Sequence, residues 1–283
     1  MQKKKKATPK PKPVSIVESI PIEEQHNVIF KPNDGPQTSF LAAGEREVLY
    51  GGSAGGGKSY AMLADPLRYM GHPAFSGLLL RHTTEELREL IFKSQEMYPK
   101  IWPGIKWSER KMQWTAPSGA RLWMSYLDRE DDVLRYQGLA FSWIGFDELT
   151  QWPSPFAWNY MRSRLRSTAP DLPVYMRATT NPGGRGHHWV KKMFIDPAAH
   201  NKAFDATDIE TGEVLKYPAG HEKAGRSLFK RKFIPARLSD NPYLSRQGDY
   251  EAMLLSLPEQ QRRQLLDGDW DIKEGAAFTE FDR

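Results

Sequence analysis

The stretch that decides the fold is Val48-Leu49-Tyr50-Gly51-Gly52-Ser53-Ala54-Gly55-Gly56-Gly57-Lys58-Ser59. Three apolar, strand-favouring residues run into a glycine-rich turn, and a helical pattern begins near Lys58. Residues 52–59 match G-x-x-x-x-G-K-[ST] in full, in the strand-to-helix setting that gives the motif its meaning. Glycines let successive backbone N–H groups curl round a phosphate without side-chain clash, and the helix N-terminus adds partial positive charge. Gly52, Ser53, Ala54, Gly55, Gly56, Gly57, Lys58 and Ser59 are therefore expected to cradle a nucleotide. Lys58 would bridge the outer phosphates, and the Ser59 hydroxyl would take a Mg²⁺ position. A glycine-rich turn with an incidental lysine would share the composition but not the complete match in this setting.

Outward from this loop, apolar bursts alternate with helix-length stretches. Gly77 to Leu80, Phe141 to Phe146 and Val174 to Ala178 read as buried strands. Thr84 reads as an N-cap for an amphipathic helix from Glu85 to Tyr98. Residues 105–126 alternate large and polar side chains around Pro117-Ser118-Gly119, which predicts antiparallel strands and turns. Helices are expected through Trp158, Met161 and Leu165 and around Trp189 to Phe194. Residues 201–233 look like a polar, hairpin-bearing insertion, and Pro242 to Leu266 looks helical in two pieces separated near Pro258. Strands alternating with helices imply an α/β fold with a central, mainly parallel sheet flanked by crossover helices.

Two further segments carry chemistry. Phe141-Ser142-Trp143-Ile144-Gly145-Phe146-Asp147-Glu148 is a largely apolar strand ending in two carboxylates. That places both at the C-terminal edge of the sheet, where open α/β folds bind ligands. Asp147 would hold Mg²⁺ through water and Glu148 would polarise an attacking water as general base. An acidic pair after a strand can also cap the next helix; the phosphate loop upstream favours the catalytic reading. Ala178-Thr179-Thr180-Asn181-Pro182 is a strand tip of hydroxyls and an amide. Thr179, Thr180 and Asn181 could sense a γ-phosphate and hand the change onward, or could merely satisfy the strand's own backbone.

Composition bounds the rest. The 283 residues include no cysteine, which excludes a disulfide scaffold, a thiol nucleophile and a zinc-thiolate site and suits a reducing compartment. No apolar run approaches the roughly 18 residues of a membrane span, and the basic start runs into Pro and Thr rather than a signal-peptide core. The net charge is +5, yet residues 1–13 carry six lysines and no acid, which leaves the remainder at −1. Such a lysine–proline arm is expected to be flexible, serving either as a tether to nucleic acid or as a solubilising tail.

The order of GGSAGGGKS, IGFDE and TTNPGG, with Gln37 just upstream, resembles the ATPase domain of tailed-phage large terminase subunits, the motors that cut and package viral DNA. GHHWVKKMF (186–194) and LLDGDWDIKEGAAFTEFD (265–282) look like later parts of the same family. The resemblance implies a P-loop NTPase of the additional-strand catalytic-glutamate (ASCE) type that uses ATP and Mg²⁺. It implies translocation of double-stranded DNA without regard to sequence, a homo-oligomeric (pentameric) ring, and a portal protein and small terminase subunit as partners in the host cytoplasm. Gln37 would contact adenine, although it also reads as a solvated polar residue after a turn; Thr179 to Asn181 would couple hydrolysis to movement, and a small C-terminal lid would follow. The expected organisation is a basic arm and lead-in over 1–31, an ATPase core over 32–200, a lid over 201–267 and a linker over 268–283. Large terminases continue into a nuclease domain about where this chain stops, so Asp267, Asp269, Asp271, Glu280 and Asp282 read as linker acids and no nuclease activity is expected.

Some family members carry an arginine inside the phosphate loop, whereas Ser53 to Gly56 hold none. The charge-stabilising arginine must then come from elsewhere, with Arg135 the first candidate and Arg129 and Arg164 behind it. The bland readings elsewhere are packing for Trp102, Trp107, Trp114 and Trp123 and helix-entry polar contacts for His187-His188; Arg162, Arg164, Arg166 and Arg177 could face DNA or phosphate, or form a solvated face. Three alternatives stay open at this point: a helicase-like nucleic-acid ATPase, a P-loop kinase, which Glu148 disfavours, and a nucleotide-regulated assembly module that does not hydrolyse.

Overall fold

A nine-stranded sheet organises the chain, in the order β3-β4-β5-β2-β6-β7-β1-β9-β8. The strands are β1 Glu47–Gly52, β2 Ser76–Arg81, β3 Lys106–Ser108, β4 Gln113–Thr115, β5 Arg121–Tyr126, β6 Trp143–Phe146, β7 Tyr175–Thr180, β8 Ala203–Asp205 and β9 Lys230–Ala236. This computed structural model describes residues 28–246 and 248–272. Of the two units into which the chain divides, Met1–Lys31 and Pro32–Arg283, the first is described only over its last four residues. The expectations for the lysine-rich arm, and for Glu280 and Asp282, lie outside the described residues.

Six neighbouring strands, β5-β2-β6-β7-β1-β9, run parallel, and antiparallel β3, β4 and β8 finish the two edges. All six residues of β1 are buried, as a strand covered on both faces requires. Its side chains alternate: Leu49 joins the large cluster with Leu78, Ile144 and Met176, whereas Val48 and Tyr50 pack with Phe40, Ala61 and Ile234 on the other face. The strand β7 lies between β1 and β6, so the phosphate-loop strand and the carboxylate strand are separated by one inserted strand, the ASCE arrangement.

Two local expectations need correction. The cap of the long helix α3 (Thr84–Ile101; α1 is Pro36–Ala42 and α2 Lys58–Ala64) is Thr83, not Thr84. Thr83 Oγ1 accepts from Glu86 N while the Glu86 carboxylate accepts from Thr83 N, and this reciprocal box settles the start one residue earlier. The boundary expected after residue 200 divides the sheet. β9 pairs with β1 from Glu47↔Arg231 to Gly52↔Ala236, so residues 201–267 supply an internal strand as well as the helical pieces that follow it. A polar insertion between β8 and β9 hid that strand, whose sequence Lys230-Arg231-Lys232 opens with three charges.

Those charges have a partner. Glu47 is fully buried at the start of β1 and accepts from Arg231 Nε at 2.8 Å and from Arg162. Burial pushes its carboxyl up, but the two guanidinium groups outweigh burial and hold it below its ordinary 4.5. Glu47→Ala strands Arg231 without a counter-charge and is expected to cost about 3–5 kcal/mol of stability. Because the folded value is depressed, this stabilisation is present above pH 4.5 and is lost as pH falls through the folded value. Urea denaturation of wild type and Glu47→Ala at pH 7 and at decreasing pH measures both; equal stabilities at pH 7 would refute the assignment.

Arg162 and Arg177 are therefore structural rather than parts of a solvated face, Arg177 being buried with Ala43 O and Glu45 O as acceptors. The tryptophans pack: Trp114 donates to Ser94 Oγ and lies 5.3 Å from the Trp107 ring, and Trp102 donates to Leu67 O. Among the described residues no helix is long and apolar enough to cross a membrane.

Candidate functional site

The parallel register brings the ends of β1, β7, β6 and β2 to one edge. Gly51 pairs with Thr180, Phe146 with Ala178, and Leu80 with Phe146. The residues just beyond these pairs are the phosphate loop, Asn181, the Asp147-Glu148 pair and Arg81. Parallel pairing thus converts four separate stretches of sequence into one cluster.

The loop takes its shape from glycine at two points. Gly52 has φ 141°, and a Cβ there would lie 2.3 Å from Ala236 O on β9. Gly57 has φ 78°, a left-handed conformation that turns the chain into α2. The outside of the loop is held by other elements: Tyr50 Oη donates to Gly56 O, Asn241 Nδ2 to Gly55 O, and Ala54 N to Leu265 O. Gln37, 3% exposed, donates to Gly57 O at 2.8 Å and accepts from Asn33 N. It is a buried brace of the loop rather than a solvated residue.

Lys58 is 7% exposed, and its ammonium donates to Ser53 O at 2.6 Å and to Asn181 Oδ1 at 2.7 Å. Asn181 in turn donates through its backbone N–H and Nδ2 to the Glu148 carboxylate at 3.2 and 3.4 Å. One side chain therefore bridges the cation of the phosphate loop and the candidate base. Thr179 Oγ1 donates to Asp147 Oδ1, and Thr180 Oγ1 meets Thr150 Oγ1 at 2.7 Å. All three tip residues of β7 are engaged with the site or with the turn after it.

Glu148 is one of three non-glycine residues in the described chain with positive φ (φ 59°, ψ 56°). Such a residue costs on the order of 1–3 kcal/mol and persists only where its surroundings over-determine it. Here the bonds to Asn181 and the Thr150–Thr180 pair on the following turn do so. Burial, then the neighbouring Asp147, pushes the Glu148 carboxyl up, against the pull of Lys58 and Arg81. Burial pushes the Lys58 ammonium down, against Glu148 and Asp147. Anionic phosphates beside Lys58 would favour its charged form, and a divalent cation beside Asp147 and Glu148 would favour theirs.

The residues fit a magnesium nucleotide. Asp147 Oδ2 is buried with no hydrogen-bond partner, and the donor set beside it, a serine hydroxyl, a carboxylate and the ammonium of Lys58, suits a divalent cation shared with phosphate oxygens. Among the described residues no cluster of three or more His, Asp or Glu could hold a metal alone. A cation here would rely on Ser59, Asp147 and the nucleotide's own phosphates, as Mg²⁺ commonly does.

The arginine candidates stand apart from this cluster. Arg135 is exposed on the turn Glu130–Tyr136, donates to Tyr126 O and lies 5.6 and 5.5 Å from the Tyr126 and Tyr136 ring centres. Arg164 lies over Tyr160, and exposed Arg129 lines a cavity of about 260 Å³ with His82, Trp152 and Arg185. His187 sits at a helix entry, its Nδ1 accepting from Gly183 N and its ring stacked on Trp270. Asp269 pairs with Arg263 and Asp271 with Lys191.

The family model for the N-terminal region of the terminase large subunit, T4-like-virus type, matches residues 49–283. The chain belongs to the terminase large subunit family. Among solved structures this terminase chain is similar to the large terminase of a thermophilic bacteriophage, with a TM-score of 0.62 at 18% identity over 89% of this chain and 57% of that one. The large terminase ATPase domain of Thermus phage P74-26 superposes with a TM-score of 0.56 at 13% identity, over 88% of this chain and 98% of that one. A structure of the thermophilic-phage large terminase in complex with ADP matches with a TM-score of 0.55 at 18% identity, over 84% of this chain and 54% of that one. At these identities the likeness is one of fold, and the chain spans 57% of the length of the first of these terminases. No curated protein matches the chain.

Two site residues of this terminase chain escape sequence reasoning. Arg81 reaches Asp147 only because β2 neighbours β6, and Asn241 reaches Gly55 only through the helices after β9. Arg81 had one signal, its place directly after the predicted buried strand Gly77 to Leu80; Asn241 had none.

Proposed function

We propose that this chain is the ATP-hydrolysing motor part of a DNA-packaging terminase, driving double-stranded DNA into a procapsid. The observation that carries this reading is the Lys58–Asn181–Glu148 chain of hydrogen bonds across the ends of β1, β7 and β6. It joins phosphate binding, water activation and a strand tip in one polar path, which a binding module has no need of.

In this reading the backbone N–H groups of residues 52–59 and the Lys58 ammonium hold the phosphates. Ser59 and Asp147 hold Mg²⁺, with Thr179 orienting the aspartate. Magnesium, when bound, neutralises charge on the β- and γ-phosphates. Glu148 orients the attacking water and takes its proton. Asn181, bonded to both Lys58 and Glu148, registers whether the outer phosphate is present and passes the change into the turn 182–186. Gln37, beside Gly57, is the residue offered for adenine. The helical pieces after β9 touch the loop at Gly55 and Ala54 and serve as the lid, and residues 268–283 are the linker.

Duplex DNA would be held through its phosphates, so affinity should fall steeply with salt. A pentameric ring, a portal protein and a small terminase subunit are the partners that family membership suggests. Steady-state ATP hydrolysis across protein concentration, with and without duplex DNA, tests the reading. Turnover per subunit should rise with concentration and rise again with DNA. ATP binding without turnover at any concentration would instead favour a nucleotide-regulated assembly module.

A further inference from the structure

The fold buries a second cation at the phosphate site. Arg81 ends β2, its side chain only 12% exposed, with Nη1 3.2 Å from Asp147 Oδ2. The contact is ionic without being a hydrogen bond: Arg81 Nε and Nη1 and Asp147 Oδ2 are all buried with no hydrogen-bond partner. A purely structural pair looks different in this same protein, where Arg231 Nε donates to Glu47 Oε2 at 2.8 Å and Arg231 Nη1 to Thr207 O at 2.8 Å. Buried donors left unmade are costly, and a planar guanidinium fork is suited to phosphate oxygens.

Position selects the phosphate. From β1 the sheet runs through β7 and β6 to β2, three steps of roughly 4.8 Å each. The loop on β1 holds the phosphate chain at one side of Asp147 and Glu148, and Arg81 stands on the other. Only the outermost phosphate of a nucleotide seated on the loop extends toward that side. The loop itself has no arginine between Ser53 and Gly56, so this cation is additional to Lys58 rather than redundant with a second one.

We propose that Arg81 is a phosphate-binding residue acting within its own chain, donating to the terminal phosphate of bound ATP and so distinguishing ATP from ADP. This rests on the reading of the site as an ATP site. The test is calorimetric titration of wild type, Arg81→Gln and Arg81→Lys with ADP and with the imido analogue of ATP, each with Mg²⁺. Arg81→Gln should weaken the triphosphate analogue about 10- to 100-fold, the size of one or two hydrogen bonds to a charged group, and leave ADP unchanged. Arg81→Lys, which keeps the charge and loses the fork, should narrow the preference for triphosphate by less. Equal losses for both nucleotides, or no loss for either, would overturn the proposal while leaving the ATP site standing. Wild type that bound neither nucleotide would overturn the ATP site and this proposal with it. If Arg81→Gln does not fold, Arg81→Lys decides alone, a triphosphate preference equal to wild type overturning the assignment.

Discussion

Glu148→Gln is expected to lower ATP turnover by about 10²–10⁴-fold while ATP still binds. Glutamine keeps the size of the side chain and one oxygen that can accept from Asn181 N, losing only the longer bond from Asn181 Nδ2, so the bond from Lys58 to Asn181 Oδ1 is retained. It cannot take a proton from water. The loop and Lys58, which carry the phosphates, are untouched. Single-turnover hydrolysis beside equilibrium ATP binding separates the two effects. Turnover within a factor of two of wild type would remove Glu148 from the role of base.

Arg135→Ala is expected to be as severe, about 10³–10⁵-fold for an arginine supplied to the transferred phosphate, but only in assembled protein. Among the described residues Arg135 has no contact with Lys58, Asp147 or Glu148. It is exposed, with its guanidinium donating to Tyr126 O and lying over the Tyr126 and Tyr136 rings, so reaching a neighbour's site requires it to leave these contacts. If it serves a neighbour, mixing Arg135→Ala with Glu148→Gln should restore part of the turnover, because some interfaces then pair an intact Glu148 with an intact Arg135. Mixing Arg81→Gln with Glu148→Gln should restore none, because Arg81 and Glu148 serve the same pocket of the same chain. Unchanged turnover of Arg135→Ala at saturating protein concentration would eliminate it and leave Arg81 as the arginine of the site.

The two arginines also mark where sequence reading stops. Arg135 stands beside a recognisable strand, so it can be nominated from sequence, yet whether it meets a nucleotide depends on another subunit. Arg81 lies 66 positions from Asp147, and nothing along the chain says that β2 and β6 are neighbours. Glu47 is similar: in Glu45-Arg46-Glu47, ahead of an apolar run, nothing marks it for burial until β9 brings Arg231 against it.

By itself the sequence determined the phosphate loop, the Asp147-Glu148 pair and the Thr179-Thr180-Asn181 tip, together with their placement at strand ends. Each depends on local physics: glycine's freedom at positive φ, the apolar run of a strand buried on both faces, and the polar residues that must follow where burial ends. The tertiary structure alone decided strand order, and with it the Lys58–Asn181–Glu148 bridge, the pairing of Arg81 with Asp147, the insertion of β9 beside β1, and the seating of Leu265 O on Ala54 N. The physical reason is that a strand's side chains declare that it is buried but not which strand lies beside it. The backbone edges that pair are chemically alike, and only packing of the whole sheet against its helices selects among them.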